Sequence, residues 1–220
     1  VKVSRSLFGV LTVLLASRCQ TDPEIDTLPA GGHHVLFVGN SLTYTNDLPA
    51  TVAAIAESGG DTIRVQTAAG PNLALIDHLN GATRAAALIA AEPWEYVILQ
   101  QGPTPAGICR DSLVIWTTMF DPLVRAAGGT TALLMPWESR DQMGSLDAVR
   151  LSFQDAASAV GGLFIPAGEA WRNALRVEPT LALWGSDNFH PGGTGTFLTG
   201  LVIYERVTGR DARELPAKAF

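Results

Sequence analysis

Short continuous apolar runs alternate along the chain with longer segments in which apolar residues recur every three or four positions. Val35-Leu36-Phe37-Val38, closed by Gly39, has the pattern of a strand buried on both faces. Leu48 to Ser58 follows as a helix, with Pro49 accommodated in its first turn and Gly59-Gly60 closing it. The alternation then continues: strand Thr62 to Ala68, helix Thr83 to Ala91, strand Tyr96 to Leu99, helix Leu113 to Ala127, strand Thr131 to Met135 and helix Leu146 to Val160. A short strand at Leu163 to Ile165 and helices at Gly168 to Arg176 and Gly195 to Val207 complete it. Strands separated by helices predict a parallel sheet covered on both faces, an α/β fold in the form of a three-layer α/β/α sandwich with about five strands. In such folds ligands bind beyond the carboxyl ends of the strands, so the residues just after each strand carry the functional information.

The first residues break this rhythm. Lys2 and Arg5 precede an apolar run from Leu7 to Ala16, followed by polar Ser17, Arg18 and Gln20. A charged start, a short apolar core and a polar exit make a secretory leader over residues 1–19, too short in its apolar part to span a bilayer comfortably. Cys19 stands where a lipoprotein leader puts its acylated cysteine, although Arg18 occupies the place where that signal wants a small residue. A lipid at Cys19 would be the sole membrane attachment. Residues 20–32, with Pro23, Pro29 and Gly31-Gly32, form a linker, and residues 33–220 form one domain. The expected location is outside the cytoplasm: periplasmic, outer-membrane lipoprotein or secreted.

Composition narrows the chemistry. Hydrophobic residues make up 47% of the 220 and charged residues 16%, which excludes a disordered chain. A net charge of −6 disfavours phosphate backbones, so nucleic acid is not an expected partner. Cys19 and Cys109 make no disulfide framework, and Cys109 is expected to be a small, partly buried thiol. His33 and His34 are adjacent on a strand and point to opposite faces, which makes them poor joint ligands; no metal site and no cofactor are predicted.

The strand ends carry four candidate groups. Gly39-Asn40-Ser41 follows the first strand, where a tight turn into a helix exposes the Ser41 hydroxyl and turns its N–H toward a developing oxyanion. Alone, that pattern equally suits a helix-capping serine or a phosphate loop. Gly70, after the second strand, allows close backbone approach and offers an N–H. Gln100 and Gln101 end the third strand, and burying two carboxamides there requires partners. Asp187-Asn188-Phe189-His190 precedes the last helix; an Asp three residues before a His can hold its Nδ1–H and leave Nε2 free to take a serine proton.

Together, Gly39-Asn40-Ser41 and Asp187-x-x-His190 resemble the first and last blocks of the SGNH/GDSL hydrolases. The longer runs Phe37 to Tyr44, Tyr96 to Gln100 and His190 to Tyr204 are similar to a bacterial branch of SGNH-like proteins. The resemblance spans Val35 to Gly209. It implies a flavodoxin-like sandwich, Ser41 as nucleophile, His190 as base and Asp187 as its orienting partner. It also implies an oxyanion hole from Ser41 N–H, Gly70 N–H and a side-chain amide of the third block. That block departs from the family's Gly-x-Asn-Asp: an overlay sets Gly102 on its glycine and Thr104 on its asparagine. Alternation along a strand puts Gln100 on the face of Gly102 and Thr104, making Gln100 the expected donor, with Gln101 in reserve. Asn40 stands where the larger family often has Asp.

The activity implied is serine esterase chemistry on a carboxylic ester, through an acyl-enzyme and without metal or cofactor. Export and resemblance favour a short acyl, acetyl, group on carbohydrate, with Trp137 and Trp184 as a sugar-stacking face or, equally, as packed core aromatics. A non-catalytic glycan binder using the same cleft is the alternative that the altered third block supports. A flavodoxin-like nucleotide binder would leave Asp187 and His190 without a role.

Overall fold

The computed structural model describes residues 27–104 and 107–216; the predicted leader at 1–19, Cys19 included, and residues 20–26 of the predicted linker lie outside them. Five parallel strands, β1 (His33–Gly39), β2 (Ile63–Ala69), β3 (Tyr96–Leu99), β4 (Thr130–Leu134) and β5 (Leu163–Ile165), form one sheet in the order β2-β1-β3-β4-β5. The helices are α1 (Ser41–Tyr44), α2 (Leu48–Ser58), α3 (Leu75–Leu79), α4 (Ala85–Ala91), α5 (Ile108–Ala126), α6 (Leu146–Ala159), α7 (Ala167–Val177) and α8 (Gly193–Thr208).

The unbroken apolar run of β1 has a direct structural cause. Leu36 and Val38 enter the core beneath α3 to α6, with Leu75, Ile89, Leu113, Phe120 and Phe153. Val35 and Phe37 enter a second core beneath α2 and α8, with Leu48, Val52, Ile55, Ile203 and Val207. β3 divides the same way, Val97 and Leu99 on one side and Ile98 on the other. Strand period and two covered faces therefore account for the whole pattern.

The sheet order reverses between β1 and β3, since β2 lies outward from β1 while β4 and β5 extend from β3. That switch point splays the connections after β1 and β3 apart and opens a crevice at their carboxyl ends. Two helical features differ from the sequence expectation. α5 begins at Ile108 rather than Leu113, because its first turn is exposed and carries no burial signal. The five-residue α3 was not anticipated; it is too short to show a helical period.

Candidate active site

Ser41 opens α1 one residue beyond β1. Asn40, in extended conformation, caps that helix by accepting the Leu42 N–H at 3.1 Å, while its Nδ2 donates to Leu73 O at 3.1 Å. This leaves the Ser41 N–H without an acceptor among the described residues. Gly39 is required beneath the turn: a Cβ there would lie 2.6 Å from Gln100 Oε1 and run into the Thr43 hydroxyl.

Gln100 is buried and its Oε1 accepts from Asn40 N–H at 3.0 Å and from the Thr43 hydroxyl at 2.7 Å. Its Nε2 is buried with no partner. Leaving such a donor unpaired costs roughly 1–3 kcal/mol, so what Gln100 supplies is the two bonds that fix the nucleophile turn. Gln100 does not border the cleft, so the structure does not bring it where the expected oxyanion role would need it. The alternation used to place it with Gly102 and Thr104 ends with β3 at Leu99, and the chain turns there. Gln101 is the carboxamide that faces the cleft. Its Oε1 accepts from Leu75 N–H and its Nε2 donates to the Thr104 hydroxyl, both at 3.2 Å. Gly70 N–H donates to Gly39 O at 3.3 Å, extending the β1–β2 ladder, and Gly70 does not line the cleft.

His190 is held by a closed loop. Leu183 O accepts from Gly192 N–H and His190 O from Gly185 N–H, both at 2.8 Å, and Trp184 pairs with Pro191 as an isolated bridge. At its tip Asn188 takes a left-handed conformation, φ 58°, which Asn tolerates better than most residues. Asp187 Oδ1 accepts the N–H groups of Phe189 and His190 at 3.0 and 2.9 Å. Its Oδ2 lies 2.5 Å from His190 Nδ1. The His190 side-chain bond, followed by the Phe189 N–H, draws the Asp187 carboxyl down to about 2. His190 Nε2 lies 2.9 Å from Ser41 Oγ, across 149 residues of sequence.

Trp137 and Trp184 are support rather than platform. Trp137 is 1% exposed, stacks on Trp171 at 3.9 Å and donates its Nε1–H to Phe189 O at 3.0 Å. Trp184 packs edge-on to Trp171 and donates to Glu138 O.

The crevice beside Ser41 has a volume of about 500 Å³. Leu73, Pro103, Ile108, Trp116 and Phe189 give it apolar walls; Asn72, Gln101, Thr104 and Ser112 supply polar atoms, and among the described residues no charged side chain borders it. Cys109 also faces it and is exposed, where a partly buried thiol was expected. Sequence reading missed Asn72, Trp116 and Ile108; the signal available for Asn72 was a Gly-Pro-Asn turn, and the structure gives it φ 57°. Among the described residues no cluster of His, Cys, Asp or Glu could hold a metal ion, and no helix is long and apolar enough to cross a membrane.

His78 was likewise not singled out. It is buried under the turn, with Nε2 3.1 Å from Gly39 O and Nδ1 2.7 Å from the Thr83 hydroxyl. Burial pushes its imidazole below the ordinary value of 6.5, against a smaller opposing pull from the Gly39 carbonyl. The unfolded chain therefore takes up this proton first as pH falls. Stability is intact above pH 6.5 and declines below it, until the folded form also protonates. Denaturant melts at pH 7.5 and 5.5 will show a loss that His78→Gln reduces; an unchanged pH dependence in that variant would refute this origin.

No protein-family model and no curated protein matches the sequence. Solved structures do match. A protein from Slackia heliotrinireducens, assigned as an SGNH hydrolase, superposes with a TM-score of 0.62 at 26% identity, covering 80% of this chain and 99% of that one. The chain has the fold of the SGNH/GDSL hydrolases. A DUF4886 family protein from Bacteroides uniformis matches with a TM-score of 0.72 at 19% identity over 84% of this chain and 86% of that one. The acetylxylan esterase Axe2 from Geobacillus stearothermophilus matches with a TM-score of 0.64 at 18% identity, over 84% of this chain and 97% of its own. Two structures of that esterase carry catalytic substitutions, one at an Asp and one at a His three positions later.

Proposed function

We propose that this SGNH/GDSL hydrolase is a serine esterase that cleaves a neutral carboxylic ester, a short acyl group on carbohydrate, through an acyl-enzyme on Ser41. The observation that carries the reading is the line of contacts from Asp187 through His190 to Ser41, at 2.5 and 2.9 Å. Such a line lets His190 take the serine proton as Oγ attacks the ester carbonyl. The tetrahedral oxyanion falls to the free Ser41 N–H and to Gln101 Nε2, which gives up its long bond to Thr104. His190 then protonates the leaving alcohol, and water repeats the sequence on the acyl-enzyme. The Asp-x-x-His spacing of Axe2's catalytic substitutions parallels Asp187 and His190, and its acetylxylan substrate is the model for the acyl sugar. The uncharged cleft walls favour neutral over anionic esters, with Trp116 and Phe189 as the aromatic contacts. Export, resting on the leader pattern of residues 1–19, would bring the enzyme to such glycans.

A fluorophosphonate probe, followed by peptide mapping, tests the nucleophile, and a panel of acetylated sugars and aryl acetates tests the reaction. Labelling confined to Ser41 with ester turnover is expected. Glycan binding without labelling or turnover would instead make the protein a binder. Gln101→Ala is expected to lower kcat about 10²- to 10³-fold, the range for losing one oxyanion donor; a change under threefold would remove Gln101 from that role.

A further inference from the structure

The Ser41–His190 contact joins two loops remote in sequence, and one side chain ties them directly. Asn46 lies five residues after the nucleophile, between α1 and α2. Its Nδ2 donates to Pro191 O at 2.8 Å and to the Thr196 hydroxyl at 3.0 Å. Both acceptors flank His190, one in the following residue and the other in the first turn of α8. To make this reach, Asn46 adopts φ 54°, ψ 23°, and Asp47 after it is also left-handed at φ 51°. Two consecutive non-glycine residues in this region carry a conformational cost that surrounding contacts must offset.

Seen from His190, three successive carbonyls are each met by a donor. Phe189 O receives Trp137 Nε1–H, His190 O receives Gly185 N–H, and Pro191 O receives Asn46 Nδ2–H. The first two belong to the histidine's own side of the site. Only the third comes from the nucleophile's segment.

We infer that Asn46 is a positioning residue that sets the distance and angle between His190 and Ser41. The inference rests on the serine esterase reading. Asn46 does not border the cleft, so it acts on the proton transfer and not on substrate affinity. The Asp187–His190 pair, three residues apart, does not depend on it.

Asn46→Gly keeps the left-handed backbone and removes the donor; Asn46→Asp keeps size and shape but replaces the donor with an acceptor. Both are expected to hold Tm within a few degrees, leave KM within about twofold and lower kcat roughly 10- to 100-fold, as a small misplacement of reacting groups does. The rate of fluorophosphonate labelling should fall in parallel. Trp137→Phe, which keeps the stack on Trp171 but loses the N–H, serves as a second variant on the same cradle, with a smaller fall in kcat. Folded Asn46 variants with kcat within twofold of the parent, or a loss appearing in KM alone, would overturn the inference. Absence of labelling and turnover in the parent protein would instead overturn the esterase reading itself.

Discussion

His190→Ala will lower kcat on an aryl acetate by a factor on the order of 10⁴ to 10⁶, and Ser41→Ala will do the same. The two losses will not add: the double variant should turn over no more slowly than either single one. The reason lies in the 2.9 Å contact between Nε2 and Oγ. Serine is a weak nucleophile until its proton has somewhere to go, and His190 has no proton to take once the hydroxyl is gone. Residual turnover in all three variants would come from the oxyanion donors and binding. Steady-state kinetics on the two single variants and the double variant decides this, and additive losses would mean that the pair does not act as a unit.

Asp187→Asn gives the second large effect, a fall in kcat of about 10³ to 10⁴ with the fold retained. The carboxylate lies 2.5 Å from His190 Nδ1, where it can hold that nitrogen's N–H and leave Nε2 free toward Ser41. An amide at that position can present its own N–H to Nδ1 and favour the opposite tautomer. Because the Asp187 carboxyl is drawn down to about 2, its folded-state pKa lies below the ordinary 3.8. Its contribution to stability is therefore complete above about pH 4 and is lost as pH falls toward 2. Between pH 7 and about 4 the stabilities of parent and Asn variant should therefore change with pH in parallel, and diverge in slope only below that range. A variant that retains more than a tenth of parental kcat would show that Asp187 does not orient the base.

The fold was readable because burial on both faces writes itself into composition. β1, β3 and β5 begin or end within two residues of the expected positions, and α2 runs over the residues expected, Leu48 to Ser58. Elements that bury little were harder to see: the first turn of α5 is exposed, and Ile108 is 84% accessible. Within the site, Ser41, Asp187 and His190 could be nominated because each follows a strand or precedes a helix with a recognisable spacing. Which carboxamide borders the cleft was not legible. Whether Gln100 or Gln101 faces the cleft depends on where β3 stops, and a shift of one residue reverses every side chain beyond it. Asn46 and His78 were silent for a related reason. Their acceptors, Pro191 O and Gly39 O, are backbone atoms, which leave no trace in residue type.

The two cores on opposite faces of the sheet divide labour between them. The bridge from Asn46 to Pro191 O and the Thr196 hydroxyl joins the start of α2 to the start of α8, helices whose close approach is such that a Cβ at Gly200 would sit 2.7 Å from the end of Ile55. Leu73, Ile108, Ser112 and Trp116, which shape the cleft, belong to the layer of α3 to α5. Descendants of such a chain can therefore diversify what the cleft accepts by remodelling its exposed wall, while the bridge between the Ser41 and His190 loops is inherited intact. Laboratory evolution aimed at new esters should accumulate its productive changes between residues 71 and 116, and should find the α2–α8 contact almost closed to substitution.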